Sequence, residues 1–304
     1  MDAKRGLLLV LGTAIISGIS IYINKFSVTA IEPDTFNFLK NITVALLILA
    51  TLGITKEYKT FKTLTKKQWL TLVIIGFVGG AVPFLLFFKG LTMTSAAMGA
   101  FLHKTMFIYV AFLALFFLKE KINKKIILPA ILLLIGNALL LKITNMSFGT
   151  GELLILAATL LWATENILSK KLLTDLPGNI VSFGRMFFGA LFISIYLLAT
   201  GKLTLITTLT GPQYLWIGFT ALLLYLFVTS YYNGLKYINV TTATSILLLG
   251  SPITTLLNTT FTSAPLALPQ IAGILTIILG IASMIYILEN ITQTQQHTHN
   301  ETTP

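Results

Sequence analysis

Ten runs of about twenty mostly apolar residues recur along the chain, near 6–24, 35–54, 69–88, 95–118, 125–143, 150–169, 180–199, 212–233, 243–262 and 266–288. At 1.5 Å per residue such a run matches the roughly 30 Å hydrocarbon core of a bilayer. Lipid offers no hydrogen bonds to a bare backbone, so each run must be a helix or a strand of a closed barrel. Barrel strands alternate apolar and polar residues over about ten positions, and these runs do not alternate. Only 10% of the 304 residues are charged against 55% hydrophobic, with a mean hydropathy of +0.87, too little charge to cover that apolar surface in water. The expected fold class is an all-α integral membrane protein with ten transmembrane helices. The first run follows Lys4-Arg5 at spanning length without an A-x-A cleavage site and is expected to remain as the first helix.

The net charge of +11 does not point to nucleic acid, because the basic residues sit in short clusters between the apolar runs. With the N-terminus in the cytoplasm, fourteen Lys and Arg fall on the cytoplasmic side, most of them in clusters at 56–67 and 119–125. Four fall outside: Lys25, Lys89, Lys142 and Lys202. That asymmetry predicts a multi-pass protein of the cell membrane with both termini cytoplasmic. The chain has no cysteine, hence no disulfide, thiolate metal site or Cys nucleophile.

The chain also repeats itself. A shift of 145 pairs Gly6 with Gly151, Lys25 with Lys170, Thr29 with Thr174, Phe38 with Phe183, Lys40 with Arg185 and Ala45-Leu46 with Ala190-Leu191. A shift of 144 sets Phe87-Phe88-Lys89-Gly90-Leu91 on Tyr231-Tyr232-Asn233-Gly234-Leu235. The units are expected at 1–146 and 147–289, followed by a disordered polar tail at 290–304. Five helices per unit is an odd number, so the second unit enters the membrane upside down. Inverted repeats of this kind typify secondary transporters.

On these features the chain resembles the EamA-type drug/metabolite transporters, whose pattern is two inverted five-helix repeats, over nearly all of its length. The resemblance sets Arg185 on the basic position of the seventh helix and Lys40 on its partner in the second. It sets Glu120 on the acidic position closing the fourth helix, with Ala264 at about the matching place in the second half. Pro252 falls on the ninth-helix proline, which the fourth helix lacks, reading Lys104-Thr105-Met106-Phe107 instead. Export is the direction the resemblance implies.

Ionisable groups inside spans are costly and mark function or structural pairing. Lys40 and Arg185 each lie about six residues inside a run, ~9 Å deep, at opposite mouths; they either guard the path or snorkel. Lys104, mid-helix, faces the substrate path or pairs with Glu165, while His103 beside it is either a packed neutral ring or a proton relay. Glu165 is the one carboxylate clearly inside a span, and it shares a face with Trp162, Asn166 and Ser169 at helical spacing. It is the coupling candidate, with a structural salt bridge to Lys104 or Arg185 as the alternative. Tyr225, Thr229 and Tyr232 form an aromatic face on the eighth helix. Thr244, Ser251, Thr255, Asn258 and Thr262 form a polar stripe on the ninth, lining a cavity or bonding neighbouring helices. Pro83 with Gly79-Gly80, and Pro252 after Gly250, are placed to break helices and bare backbone groups. Gly273, Gly280 and Ala282 suit close packing of the tenth.

No Gly-rich loop ending in Gly-Lys-Ser/Thr and no H-E-x-x-H is present, and no nucleophile and base fall at usable spacing. Neither an enzyme nor a cofactor or metal site is expected. The expected function is secondary transport by alternating access, as a monomer or homodimer in lipid. Its substrate is a small metabolite such as an amino acid or other organic anion, with coupling to protons or facilitated diffusion. A non-transporting scaffold or lipid-handling protein with structural buried charges is the alternative.

Overall fold

A computed structural model of the chain describes residues 2–27, 31–120, 125, 127–142, 149–262 and 265–301. Thr29, residues 121–124 of the second basic cluster, Ala264 and the last three residues lie outside these, as do the side chains of Lys25 and Thr262. Ten helices follow in order: α1 (Asp2–Ser27), α2 (Pro33–Ile54), α3 (Lys66–Leu91), α4 (Ala97–Phe117), α5 (Ile127–Leu140), α6 (Thr150–Leu172), α7 (Gly178–Ala199), α8 (Gly211–Leu235), α9 (Val240–Phe261) and α10 (Leu268–Glu301). No strand occurs among the described residues. Nine of the ten are long and apolar enough to cross a membrane, and α5 is a shorter apolar helix of 14 residues. α10 stays helical to Glu301, through the polar segment expected to be disordered.

The repeat shows itself in the packing. α1 lies along α8 where Gly6 and Gly234 meet: a Cβ on either would stand 2.9 Å from the other's carbonyl oxygen. α3 lies along α6 through Gly90 and Gly151, the residues matched to them by the 144 and 145 shifts, at 2.7 and 3.0 Å. α5 and α10 pair through Gly136 and Gly273 in the same way. In lipid, where apolar side chains gain little by leaving one solvent for another, such close backbone approach is what holds helices together.

The same equivalence appears at the two ends of α2 and α7. At one end Lys202, in the loop after α7, pairs with Asp34 at 2.6 Å and Glu32 at 2.7 Å. At the other, Asn179 donates to Glu57, in the loop after α2, at 3.0 Å. Positions 34 and 179 are 145 apart, as are 57 and 202, so one contact occurs twice, ionic at one end and amide–carboxylate at the other.

Glu32 also caps α2, accepting from the Thr35 amide at 2.8 Å. Partial burial pushes its carboxyl up, and the hydrogen bonds and charge of Lys202 and the Thr35 amide outweigh this and hold it below the usual value. A carboxyl lowered on folding stabilises fully above its unfolded value of about 4.3 and loses that contribution as pH falls through the lower folded value. Lys202 and Glu32 are about one-third exposed and Asp34 is more buried, so Lys202→Met is expected to cost about 1 kcal/mol. The gap in melting temperature between the two proteins should be present at pH 7 and shrink as the carboxyls protonate in acid; a gap undiminished in acid would contradict the ionic assignment.

Candidate functional site

Pro83 sets up the centre of the molecule. Lacking an N–H, it leaves the carbonyl four residues back, that of Gly79, without its helical donor. Around it α3 takes a π-helical turn over Gly76–Ala81 between two ordinary α-helical segments. Two side chains from the other repeat fill the gap. Trp162 Nε1 donates to Gly79 O at 3.0 Å, and Arg185 donates through Nε at 3.3 Å and Nη2 at 3.2 Å. On the next carbonyl, Asn41 Nδ2 donates to Gly80 O at 3.0 Å. The sequence signal of a broken third helix therefore holds, with the bared carbonyls taken up by side chains.

Glu165 lies beside this carbonyl, 1% exposed. Its Oε1 accepts from Ser169 Oγ and from Tyr232 OH, each at 2.5 Å, and Asn166 Nδ2 approaches Oε2 at 3.5 Å. Tyr232 OH in turn accepts from Arg185 Nη1 at 3.2 Å. The acid and the guanidinium are thus joined through one phenol. Among the described residues the only ion pairs within 4.0 Å are those of Lys202, so neither the Glu165–Lys104 nor the Glu165–Arg185 salt bridge is formed. Tyr231, next to Tyr232, donates to Asn166 Oδ1. The set is internally bonded, with Glu165, Asn166, Ser169 and Tyr232 buried and Arg185 half-buried.

His103 packs edge-on against the indole of Trp162, with ring centroids 4.8 Å apart, and also against Phe87 at 5.5 Å. Lys104, 9% exposed, donates to Leu247 O at 3.4 Å. This contact joins two interrupted helices. α4 breaks between Lys104 and Met106, and α9 has a 3-10 turn at Leu247–Leu249 ahead of Pro252. The breaks fall 142 to 144 residues apart, close to the repeat spacing, although only α9 carries the proline. Glu120 ties the same two helices at the Lys170 end, accepting from the Val240 amide and Thr241 Oγ1, both at 3.0 Å, at the start of α9. A carboxylate there meets the unsatisfied N–H groups of a helix N-terminus.

Trp162, Glu165, Asn166, Arg185 and Tyr232 therefore converge, with His103 against them and Lys104 on the adjoining break. Four of the expected residues stand apart. Tyr225 shares a hydrogen bond with Thr51 at 2.7 Å between α8 and α2. Ser251 is buried and Thr255 half-buried on α9. Thr244 of the same stripe bonds back to Val240 O at 3.0 Å. Lys40 sits over the Phe36 ring, 4.7 Å from its centroid. Sequence reasoning missed Tyr231 and Asn41, whose partners lie on other helices; Asn41, one residue from Lys40 in an apolar run, carried a signal that could have been used. Among the described residues no group of three or more His, Asp or Glu is disposed to hold a metal ion.

A bundle of apolar helices with interrupted members and a charged cluster where two repeats meet defines a multi-pass membrane transporter. The profile of the EamA-like transporter family matches residues 4–142 and 149–286, and the chain belongs to that family. It is 25% identical over 284 residues to "Uncharacterized transporter YyaM" of Bacillus subtilis (strain 168), covering 90% of this chain and 91% of that one. A solved structure described only as "Crystal structure of protein" superposes with a TM-score of 0.77 at 16% identity, over 96% of this chain and 99% of that one, a likeness of fold.

Proposed function

We propose that the protein is a secondary transporter exporting a small metabolite with an anionic group, an amino acid or another organic acid, by alternating access with Glu165 as the proton-coupling group. The observation that carries this is the Glu165–Tyr232–Arg185 chain, buried where the repeats meet and anchored on the Gly79 carbonyl. A proton on Glu165 would remove the negative charge that faces Arg185 through Tyr232 and turn one acceptor oxygen into a donor, so that the bonds to Ser169 and Tyr232 must rearrange. Coupling of that kind needs a group whose protonation changes contacts on several helices at once, here α6, α7 and α8. Three cations inside spans against one such carboxylate favour an anionic substrate. Both termini lie in the cytoplasm in this reading, as the Lys and Arg distribution requires.

Flux in proteoliposomes tests it. Glu165→Gln is expected to abolish accumulation driven by a pH gradient, by tenfold or more, while leaving substrate exchange. Lys104→Ala is expected to slow both. Parental rates in both variants for every solute moved would remove the site assignment, and both halves inserted in the same sense would remove alternating access.

A further inference from the structure

The two repeats do not carry the same site. Under the 145 shift Glu165, Ser169 and Arg185 fall on Ser20, Asn24 and Lys40, and under the 144 shift Tyr232 falls on Phe88. The second half therefore holds acid, phenol and guanidinium together, while the first keeps its cation and has lost the acid and the phenol. The structure bears out what that predicts for Lys40. It is 7% exposed, and among the described residues its Nζ meets no carboxylate and no hydrogen-bond acceptor, only the face of Phe36. The nearest acid along its own helix, Asp34, is engaged by Lys202. Ser20, where the acid would stand, accepts instead from Asn24 Nδ2 at 3.0 Å.

The neighbours of Lys40 are unsatisfied as well. Asn37 lies one turn away on the same face, 1% exposed, and neither its amide nitrogen nor its oxygen has a partner. Asn41 spends its nitrogen on Gly80 O and leaves Oδ1 unpartnered and fully buried. Amide groups buried without partners, on a helix whose cation has only an aromatic face for company, are costly and are kept where something else completes them. Lys40 and Asn37 offer N–H donors to an oxyanion, and the two asparagine oxygens accept from any donor beside it.

We propose that Lys40 with Asn37 and Asn41 forms an oxyanion-recognition site on α2, beside the Gly80 carbonyl that Asn41 holds, holding the carboxylate or phosphate group of the transported solute. It rests on the transporter reading and adds a division of labour. The cation whose acid has been lost draws its counter-charge from the solute, and the cation whose acid remains serves the proton.

Binding, rather than flux, tests this. Thermal unfolding of the purified full chain is followed with pyruvate, glutamate and glycerol 3-phosphate at constant ionic strength, chloride serving as control. At least one is expected to raise the melting temperature, and which one does so separates carboxylate from phosphate. Lys40→Met should weaken that response tenfold or more, and Asn37→Leu should weaken it. Without added anion, Lys40→Met should melt at or above the parental temperature, because it removes an unpaired buried charge. The proposal fails if no organic anion stabilises the native chain, if the response survives Lys40→Met, or if Lys40→Met lowers the ligand-free melting temperature, which would make Lys40 a structural residue. Parental flux of any solute alongside such a failure would leave the transporter reading standing and remove this site alone.

Discussion

Arg185→Ala is expected to destabilise the folded protein by about 3–5 kcal/mol, the range for removing one member of a buried charged network, and to eliminate transport. Three of the four N–H contacts that satisfy Gly79 O and Tyr232 OH at this point come from the guanidinium. Without it Gly79 O keeps only the indole of Trp162, its own helical donor being absent at Pro83. Tyr232 still donates to Glu165 but has lost the donor behind it, and the buried carboxylate has lost its nearest cation. Arg185→Lys separates the two causes: an ammonium restores the charge but cannot reach Gly79 O and Tyr232 with a planar fork. Its melting temperature in detergent should fall between parental and alanine proteins. A lysine variant as unstable as alanine would assign the loss to geometry, and an alanine variant within about 1 kcal/mol of parental would show that the network does not hold α3 against α7.

Much of this architecture could be read from spacing. Spans were legible because lipid demands about twenty apolar residues whatever the fold. The repeat was legible because cations and glycines stand out against an apolar background, and the four glycines it matched, Gly6 with Gly151 and Gly90 with Gly234, are those that build the two equivalent contacts, Gly6 on Gly234 and Gly90 on Gly151. The α6 face of Trp162, Glu165, Asn166 and Ser169 was legible because positions three and four apart on a helix are neighbours. Contacts between helices were a different matter. Periodicity places Glu165 on a face but does not say which helix that face meets, and Lys104 was as good a partner as Tyr232 until the packing was known. Tyr225 and Tyr232 share a helical face seven residues apart, yet one reaches Thr51 and the other Glu165. α4 and α9 break at matched positions although only one has a proline, so the break in α4 had no marker. Least visible was the Gly79 carbonyl, a backbone group whose availability depends on a proline four residues later and a π-helical turn.

Gly80→Ala should be nearly as damaging, costing at least about 3 kcal/mol, the upper end for overpacking a fitted interior. A Cβ at Gly80 would stand 2.3 Å from Arg185 O and 2.9 Å from the Cα of Gly189. Both are backbone atoms, so no rotamer change relieves the clash and α3 must move away from α7. That movement would stretch the Asn41 bond to Gly80 O and draw Gly79 O away from Arg185 and Trp162, so stability and transport should be lost together. Helical propensity acts in the opposite direction: alanine favours a helix over glycine by roughly 0.5–1 kcal/mol where there is room. Gly53 in α2 and Gly218 in α8 have nothing within 4 Å of a built Cβ. Gly53→Ala and Gly218→Ala are therefore expected to melt at or slightly above the parental temperature in the same detergent. The two controls isolate the sign of the effect, since the same methyl stabilises where the helix faces open space and destabilises where two backbones meet. Were Gly80→Ala to melt alongside them, the contact between α3 and α7 would have to be looser than the Gly80–Gly189 approach requires, and the anchoring of Arg185 on Gly79 could not depend on it.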